Sequence, residues 1–352
     1  MDELELKDKD IQEAVDTETP LDKNVRLMSP NQMLLRRFFR SKLSILGLIM
    51  VVGLFLFCFV GPLVYTQWKE TELDRTGKIE YSTAEHVYYV DGVEYTVRQT
   101  NEKFVIDNFL APASVDHPLG TDDQGYDVLA RLMYGGRVSL LVSFMTVILM
   151  TIFGVIMGGL AGYFGGWVDN VIMRICDILM CLPGVPILLI LSSAMDGWVA
   201  MDLVQEDMRI YILMFFLTVI SWSGTARLVR GQILSLREQE FMVAAEAMGY
   251  STGRKIFKHL IPNVMPQLIV QMSLSLGSMI LYEATLSYLN MGIKAPYTAW
   301  GSMINIITTN QDILQNYPLV WVPAGVCIVI AVLGFNFVGD GLRDALDPKA
   351  RR

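Results

Sequence analysis

The chain has 352 residues, of which 53% are hydrophobic and only 18% charged, and its mean hydropathy of +0.41 is too high for a soluble domain of this length. A net charge of −8 speaks against a nucleic-acid partner, and much of that acidity is gathered in the opening stretch MDELELKDKDIQEAVDTETP. The composition is that of a multi-pass membrane protein.

The opening segment, 1–30, has few large apolar residues and no sustained periodicity. It is expected to be a disordered acidic tail, because it buries too little surface to offset its ordering entropy. Because that tail precedes the first apolar run and no small-residue cleavage site follows it, the run is expected to stay as an anchor. Residues 31–66 form the N-terminal region and first span.

A hydrocarbon core of about 30 Å takes about 20 apolar residues in helix. Six stretches meet that requirement, at 44–65, 138–163, 168–193, 210–228, 264–289 and 318–338; the fourth is diluted by Ser221, Ser223 and Thr225. The cluster Arg36, Arg37, Arg40 and Lys42 puts the N-terminus inside. With six spans, the basic residues Arg237, Arg254, Lys255, Lys258, Arg343, Lys349, Arg351 and Arg352 then also fall inside. Arg131 and Arg137 run against this bias, just outside the second span.

Residues 67–137 form an outside insertion. Its middle, His86 to Val97, sets two β-branched and aromatic runs about Asp91-Gly92, a pair that accepts positive φ and so predicts a type I′ hairpin. The hairpin is read as a spacer or cap over the span ends, with a docking surface as the alternative.

Cys58, Cys176, Cys181 and Cys327 sit in apolar runs with no metal-site or disulfide spacing, and are expected to pack as small apolar residues. In the second span, Gly154, Gly158, Gly159, Ala161 and Gly162 form a close-packing pattern. Pro183, Gly184 and Pro186 are expected to kink the third span.

Ionisable groups inside spans are costly and draw a functional reading. Arg174 and Asp177, three apart, read as a local ion pair lining a subunit interface, with substrate contact as the sharper alternative. Glu283 has no basic neighbour in sequence, and either caps a neighbouring helix or faces an aqueous path.

The residues 138–342 form a five-helix core interrupted by a polar loop, 231–262. In it Glu240 to Met248 reads as a short helix, Gly249 as its left-handed stop, Ser251 or Thr252 as a new cap and Pro262 as the entry to the fifth span. Taken alone, this is an ordinary amphipathic loop. The register of Ala244, Ala245, Gly249, Ile261 and Pro262, however, resembles the hallmark loop of ABC-importer permease subunits. Val243 and His259 depart from that hallmark, which has Glu and an apolar residue there.

Three further stretches resemble the oligopeptide and dipeptide permeases of that family, in their C-type subunit. They are His117 to Arg131, where the family has Arg in place of Tyr126; Glu283 to Gly292; and Gly339 to Pro348. The resemblance runs from about Arg36 onward, leaving aside the hairpin region. It implies an all-α type I importer permease fold of six spans, in a bacterial cytoplasmic membrane, with both termini (including the tail 343–352) cytoplasmic. It implies a second homologous permease, two ATP-binding subunits, an extracytoplasmic binding protein, surrounding membrane lipid and a peptide substrate. In that scheme Glu240, Phe241, Ala244, Ala245 and Gly249 form the coupling helix that meets the ATPase.

The chain is read as non-catalytic and free of cofactors, with ATP and Mg on the partner subunits. It has no Gly-rich phosphate loop ending in Lys-Ser or Lys-Thr, and Gly253-Arg254-Lys255 is not one. His86, His117 and His259 do not assemble a catalytic set. The alternatives are the same fold importing nickel, haem or another small solute, and a membrane sensor or scaffold without transport.

Overall fold

In hydrocarbon each backbone N–H and C=O must be satisfied within the segment, so the long apolar runs close into helices. A computed structural model describes residues 30–74, 79–104, 108–205 and 208–346; the expected tails lie outside these, apart from Pro30 and residues 343–346. Helix α1 covers Pro30–Phe38. Helix α2, Lys42–Phe55, is capped by Ser41 and runs through a π-helical turn, Leu56–Val60, into Gly61–Val64. Strands β1 (Ile79–Val90) and β2 (Val93–Phe104) pair antiparallel.

Helix α3 is Val128–Phe164, α4 is Gly166–Cys181 and α5 is Gly184–Ala200. Helix α6, Arg209–Arg237, precedes the short α7, Glu240–Ala247. A turn at Thr252–Arg254 and a π-helical stretch, Lys255–Leu260, lead into α8, Ile261–Tyr288. Helices α9 (Trp300–Thr309), α10 (Gln311–Asn316) and α11 (Pro318–Leu346) complete the chain.

The hairpin is built as its sequence dictates. Asp91 and Gly92 have φ of 51° and 79°, both positive as a type I′ turn requires, and the register sets Tyr88 opposite Tyr95 and Val90 opposite Val93.

Among the described residues five helices are long and apolar enough to cross a membrane unbroken, and α4 and α5 together make a sixth candidate bent by 80°. Close approaches at glycines between three pairs of helices decide how this pair counts. Gly47 lies against Phe337 and Gly334, while Gly341 lies against Ser44, so α2 and α11 are antiparallel, and the start of α2 and the end of α11 share one side. Gly136 abuts Cys58, so α3 starts on the far side. Gly154 abuts Thr225, Gly158 Val229 and Gly162 Ile233, so α6 runs parallel to α3. Both therefore travel from far to near, and the chain must return to the far side through α4 and α5. The broken pair is one crossing, and the crossings among the described residues number six.

The break falls at Leu182 and Pro183. Proline supplies no N–H, and it pushes the residue before it out of helical geometry; Leu182 has φ −75° and ψ 130°. Where a kinked third span was expected, the chain forms two helices of 16 and 17 residues. The second span begins ten residues earlier than its apolar run, because Asp127 caps it through a hydrogen bond from the Ala130 amide at 2.6 Å. The core centres on Trp300, Leu140, Ile280 and Leu286, all fully buried where α3, α8 and α9 meet.

Candidate functional site

The near-side loop is a braced unit. Glu240 sits in the first turn of α7, where a negative charge favours the helix N-terminus. At the other end Gly249, with φ of 70°, donates its amide to Glu246 O at 2.9 Å, and Tyr250 donates to Ala245 O at 3.1 Å. These two bonds form a Schellman stop. Tyr250 stacks on His259 at 5.6 Å, and Arg254 lies over the Tyr250 ring at 4.3 Å.

The residues expected on the ATPase-facing helix divide between two faces. Ala245 is 1% exposed and turns inward, as does Met242, which packs in a cluster with Val229 and Ile233 of α6 and Leu260, Val264 and Leu268 around α8. Phe241 packs on the edge of that cluster. Glu240, Ala244 and Gly249 are exposed. So are Val243 and Met248, and Phe257 in the π-helical stretch. These last three were missed, although Val243, Ala244, Ala247 and Met248 follow the spacing of one helix face.

Inside the spans the expected Arg174 and Asp177 pair is barely made: their closest approach is 4.0 Å and Arg174 is 79% exposed. Asp177 is held instead by Arg227 of α6 at 2.5 Å, and Asp169 is gripped by both prongs of Arg230 at 2.6 and 2.5 Å. Two cross-helix pairs thus stitch α4 to α6. Glu283 is buried; it accepts from Ser287 Oγ at 2.7 Å and faces Ser139, whose hydroxyl accepts the Trp300 amide at 3.2 Å. Trp300 Nε1 donates to Leu132 O at 3.0 Å. Glu283 therefore sits at the junction of α3, α8 and the start of α9.

A stripe of uncharged polar groups runs along α8 at near-perfect four-residue spacing: Asn263, Gln267, Gln271, Ser275, Ser278 and Tyr282. Its near-side half lines a cavity of about 550 Å³ together with Leu228 and Arg343. Its far end, the Tyr282 hydroxyl, lies against Gly184 at the break between α4 and α5. Such a face is costly against lipid and belongs against water or another polar surface.

The far-side end of the bundle is tied down by the stretch from His117 to Arg131. His117 is buried, with Nδ1 2.9 Å from Asp127 Oδ2 and Nε2 3.0 Å from Asp74 Oδ2, and Trp68 stacks on its ring at 4.7 Å. Tyr65 donates to Asp127 at 3.2 Å; burial, and then the Asp127 charge, push its phenol well above the ordinary tyrosine range. The two basic residues that ran against the charge bias are both accounted for. Arg131 pairs with Asp122 and lies over Tyr126, while Arg137 lies over the Phe59 and Tyr134 rings. Burial raises the Glu70 carboxyl, opposed by Arg131 and Arg137. It raises Asp123 too, with the neighbouring Asp122 adding to the effect. Among the described residues no group of three or more His, Cys, Asp or Glu is placed to hold a metal.

Two family models match the chain. Residues 151–352 match the binding-protein-dependent transport system inner membrane component, and residues 29–76 match the N-terminal TM domain of oligopeptide transport permease C. The oligopeptide transport system permease protein OppC of Bacillus subtilis is 34% identical over 317 residues, 90% of this chain and 88% of that protein. The dipeptide transport system permease protein DppC of the same organism is 35% identical over 318 residues, 90% of this chain and 85% of that one. The glutathione transport system permease protein GsiD of Pectobacterium atrosepticum is 34% identical over 248 residues, 70% and 78% of the two chains. A six-crossing helical bundle with a braced near-side loop, matched along nearly its whole length by such permeases, belongs to the family of binding-protein-dependent transport system inner membrane components.

Proposed function

We infer that this chain is one permease subunit of an ATP-driven importer of peptides, working beside a second permease of the same fold, two ATP-binding subunits and an extracytoplasmic binding protein. The relatives' names give the cargo class, and the bipartite α7 carries the mechanism. Its outer residues Val243, Ala244, Ala247 and Met248 offer a small, apolar docking face, while Met242 packs the helix into the α6 and α8 cluster and Ala245 is buried on the same inner side. A push on α7 is therefore delivered to two spans at once, since packed cores transmit displacement rather than absorb it.

The near side is the cytoplasm of a bacterial cell. Arg36, Arg37, Arg40, Lys42, Arg237, Arg254, Lys255, Lys258 and Arg343 all gather there, so both ends of the described chain face the ATP-binding subunits. Among the spans, α8 combines direct packing on the α7 cluster with the uncharged polar stripe. That makes it the wall along which a peptide backbone exchanges hydrogen bonds on its way in.

Peptide uptake into proteoliposomes holding the four-subunit complex, with binding protein and ATP supplied outside and inside respectively, tests this reading. ATP-dependent accumulation of labelled peptide supports it. Accumulation of a metal or haem but not of peptide sinks the cargo assignment, and ATP hydrolysis without accumulation of any solute sinks the importer assignment.

A further inference from the structure

The far face carries a cavity of about 410 Å³ between the start of α3, the α8–α9 connection and α9, within the size range of small-molecule sites. Its two ends differ in charge. At the α3 end Asp122 and Asp123 share one cation, Arg131. Asp122 is fully engaged, since its second oxygen accepts from the Gln124 and Tyr126 amides at 2.9 Å. That leaves Asp123, whose Oδ1 has no hydrogen-bond partner, as the carboxyl of the pair with no cation of its own; burial and Asp122 disfavour its ionised form, and an incoming ammonium would favour it.

At the α8–α9 connection the balance is reversed. Lys294, at 2.7 Å, and Arg209 share one carboxylate, Asp196. Arg209 is spent inside the protein, donating also to Gly292 O at 3.0 Å and Ser192 Oγ at 2.9 Å. The more accessible member, the half-buried Lys294, therefore presents the surplus positive charge to the cavity it lines. Between the ends lie Asn305 for hydrogen bonds and Tyr297, Met303 and Ile306 for apolar contact.

We propose that this cavity is a far-face reception site for a short zwitterionic peptide, which sets its ammonium against Asp123 and its carboxylate against Lys294. The proposal rests on the peptide-import reading and deepens it: this chain itself inspects both peptide termini before the peptide reaches the α8 stripe. Opposite charges at the two ends favour a free peptide over a metal ion, which has no use for the lysine. They also favour it over a blocked peptide, which forfeits one charge-assisted contact.

The test compares uptake of a free tripeptide, its N-acetylated form and its C-amidated form by the complete complex in proteoliposomes. The natural chain is set against Asp123→Asn and Lys294→Gln, all with the same binding protein, so that its own preferences cancel in the comparison. Loss of a hydrogen bond to a charged group corresponds to about tenfold or more. Asp123→Asn should remove about that much of the penalty on acetylation and leave the penalty on amidation, with the converse for Lys294→Gln. If both penalties persist unchanged in both variants, the site is refuted while peptide import stands. If the natural complex takes up none of the three peptides, the import reading falls, and the site with it. Complex yield and melting temperature of each variant separate misassembly from altered recognition, and a conservative Asp123→Glu that restores the acetylation penalty is required for the assignment to stand.

Discussion

Neighbouring alanines on α7 should give opposite phenotypes when enlarged. Ala245 is 1% exposed, on the inner face that it shares with Met242, so Ala245→Trp forces a large ring into a buried site. Overpacking of this kind costs typically about 1–3 kcal/mol, roughly a 5- to 150-fold shift of the seated helix toward an unseated one. Ala244 is exposed on the other face, where a tryptophan costs only helix propensity, at most about 0.7 kcal/mol, but obstructs the docking surface. The assay pairs a thermal melt of the purified complex with peptide-stimulated ATP hydrolysis. Ala245→Trp should lower the melting temperature and loosen coupling together. Ala244→Trp should leave melting of the permease pair near that of the natural protein and still abolish stimulation. Full stimulation in Ala244→Trp, or an unchanged melt in Ala245→Trp, refutes the two-faced reading of the helix.

Further substitutions probe the rest of the bundle. A double-mutant cycle with Asp169→Asn and Arg230→Gln should return a coupling energy of about 1–3 kcal/mol in thermal stability. This lies below the range for a fully buried pair because Arg230 is 34% exposed; additive effects would show that the pair does not join α4 to α6. Glu283→Leu should destabilise by about 1–3 kcal/mol by stranding the hydroxyls around it, whereas Glu283→Gln should cost less, and equal losses in the two melts would contradict the junction. Gly158→Val should separate α3 from α6 and reduce folded yield, since an added Cβ meets Val229 Cβ at 2.9 Å. The raised Glu70 carboxyl holds its proton longer in the folded chain than in the unfolded one. Stability should therefore fall as pH rises from the ordinary glutamate range through the higher folded value. Glu70→Gln should flatten that slope in pH-dependent melts, and an unchanged slope would assign it elsewhere.

The sequence disclosed most where one residue's chemistry decides the local outcome. Asp91-Gly92 announced its turn because few other pairs accept two positive φ values, and Gly249 announced the end of α7 for a related reason. Pro183 promised a disturbance; that it became a bend of 80° between two helices depends on what Tyr282 and α8 leave room for, which no local window contains. Charge partners were the least legible. Asp177 was matched to Arg174, its neighbour along the helix, whereas its close partner, Arg227, is fifty positions away and becomes adjacent only when α4 folds back along α6. The inward turn of Ala245 was hidden in the same manner, because Ala244 and Ala245 are equivalent in size and propensity and only their burial in the folded chain tells them apart. Helix α9 was missed because its ten residues are too few for a span. Its start was nonetheless marked by Ser302, whose hydroxyl accepts the Ala299 amide at 2.9 Å.

The parallel course of α3 and α6 has an electrostatic consequence. Antiparallel neighbours cancel their helix dipoles, but these two add them, concentrating partial negative charge where both C-termini emerge on the near side. Arg237 answers it directly, ending α6 and donating Nη1 to Tyr163 O in the last turn of α3 at 3.0 Å. A neutral residue there would leave two helix ends bare at once. The basic residue that helps mark this side of the membrane thus also makes the shared direction of its two helices tolerable.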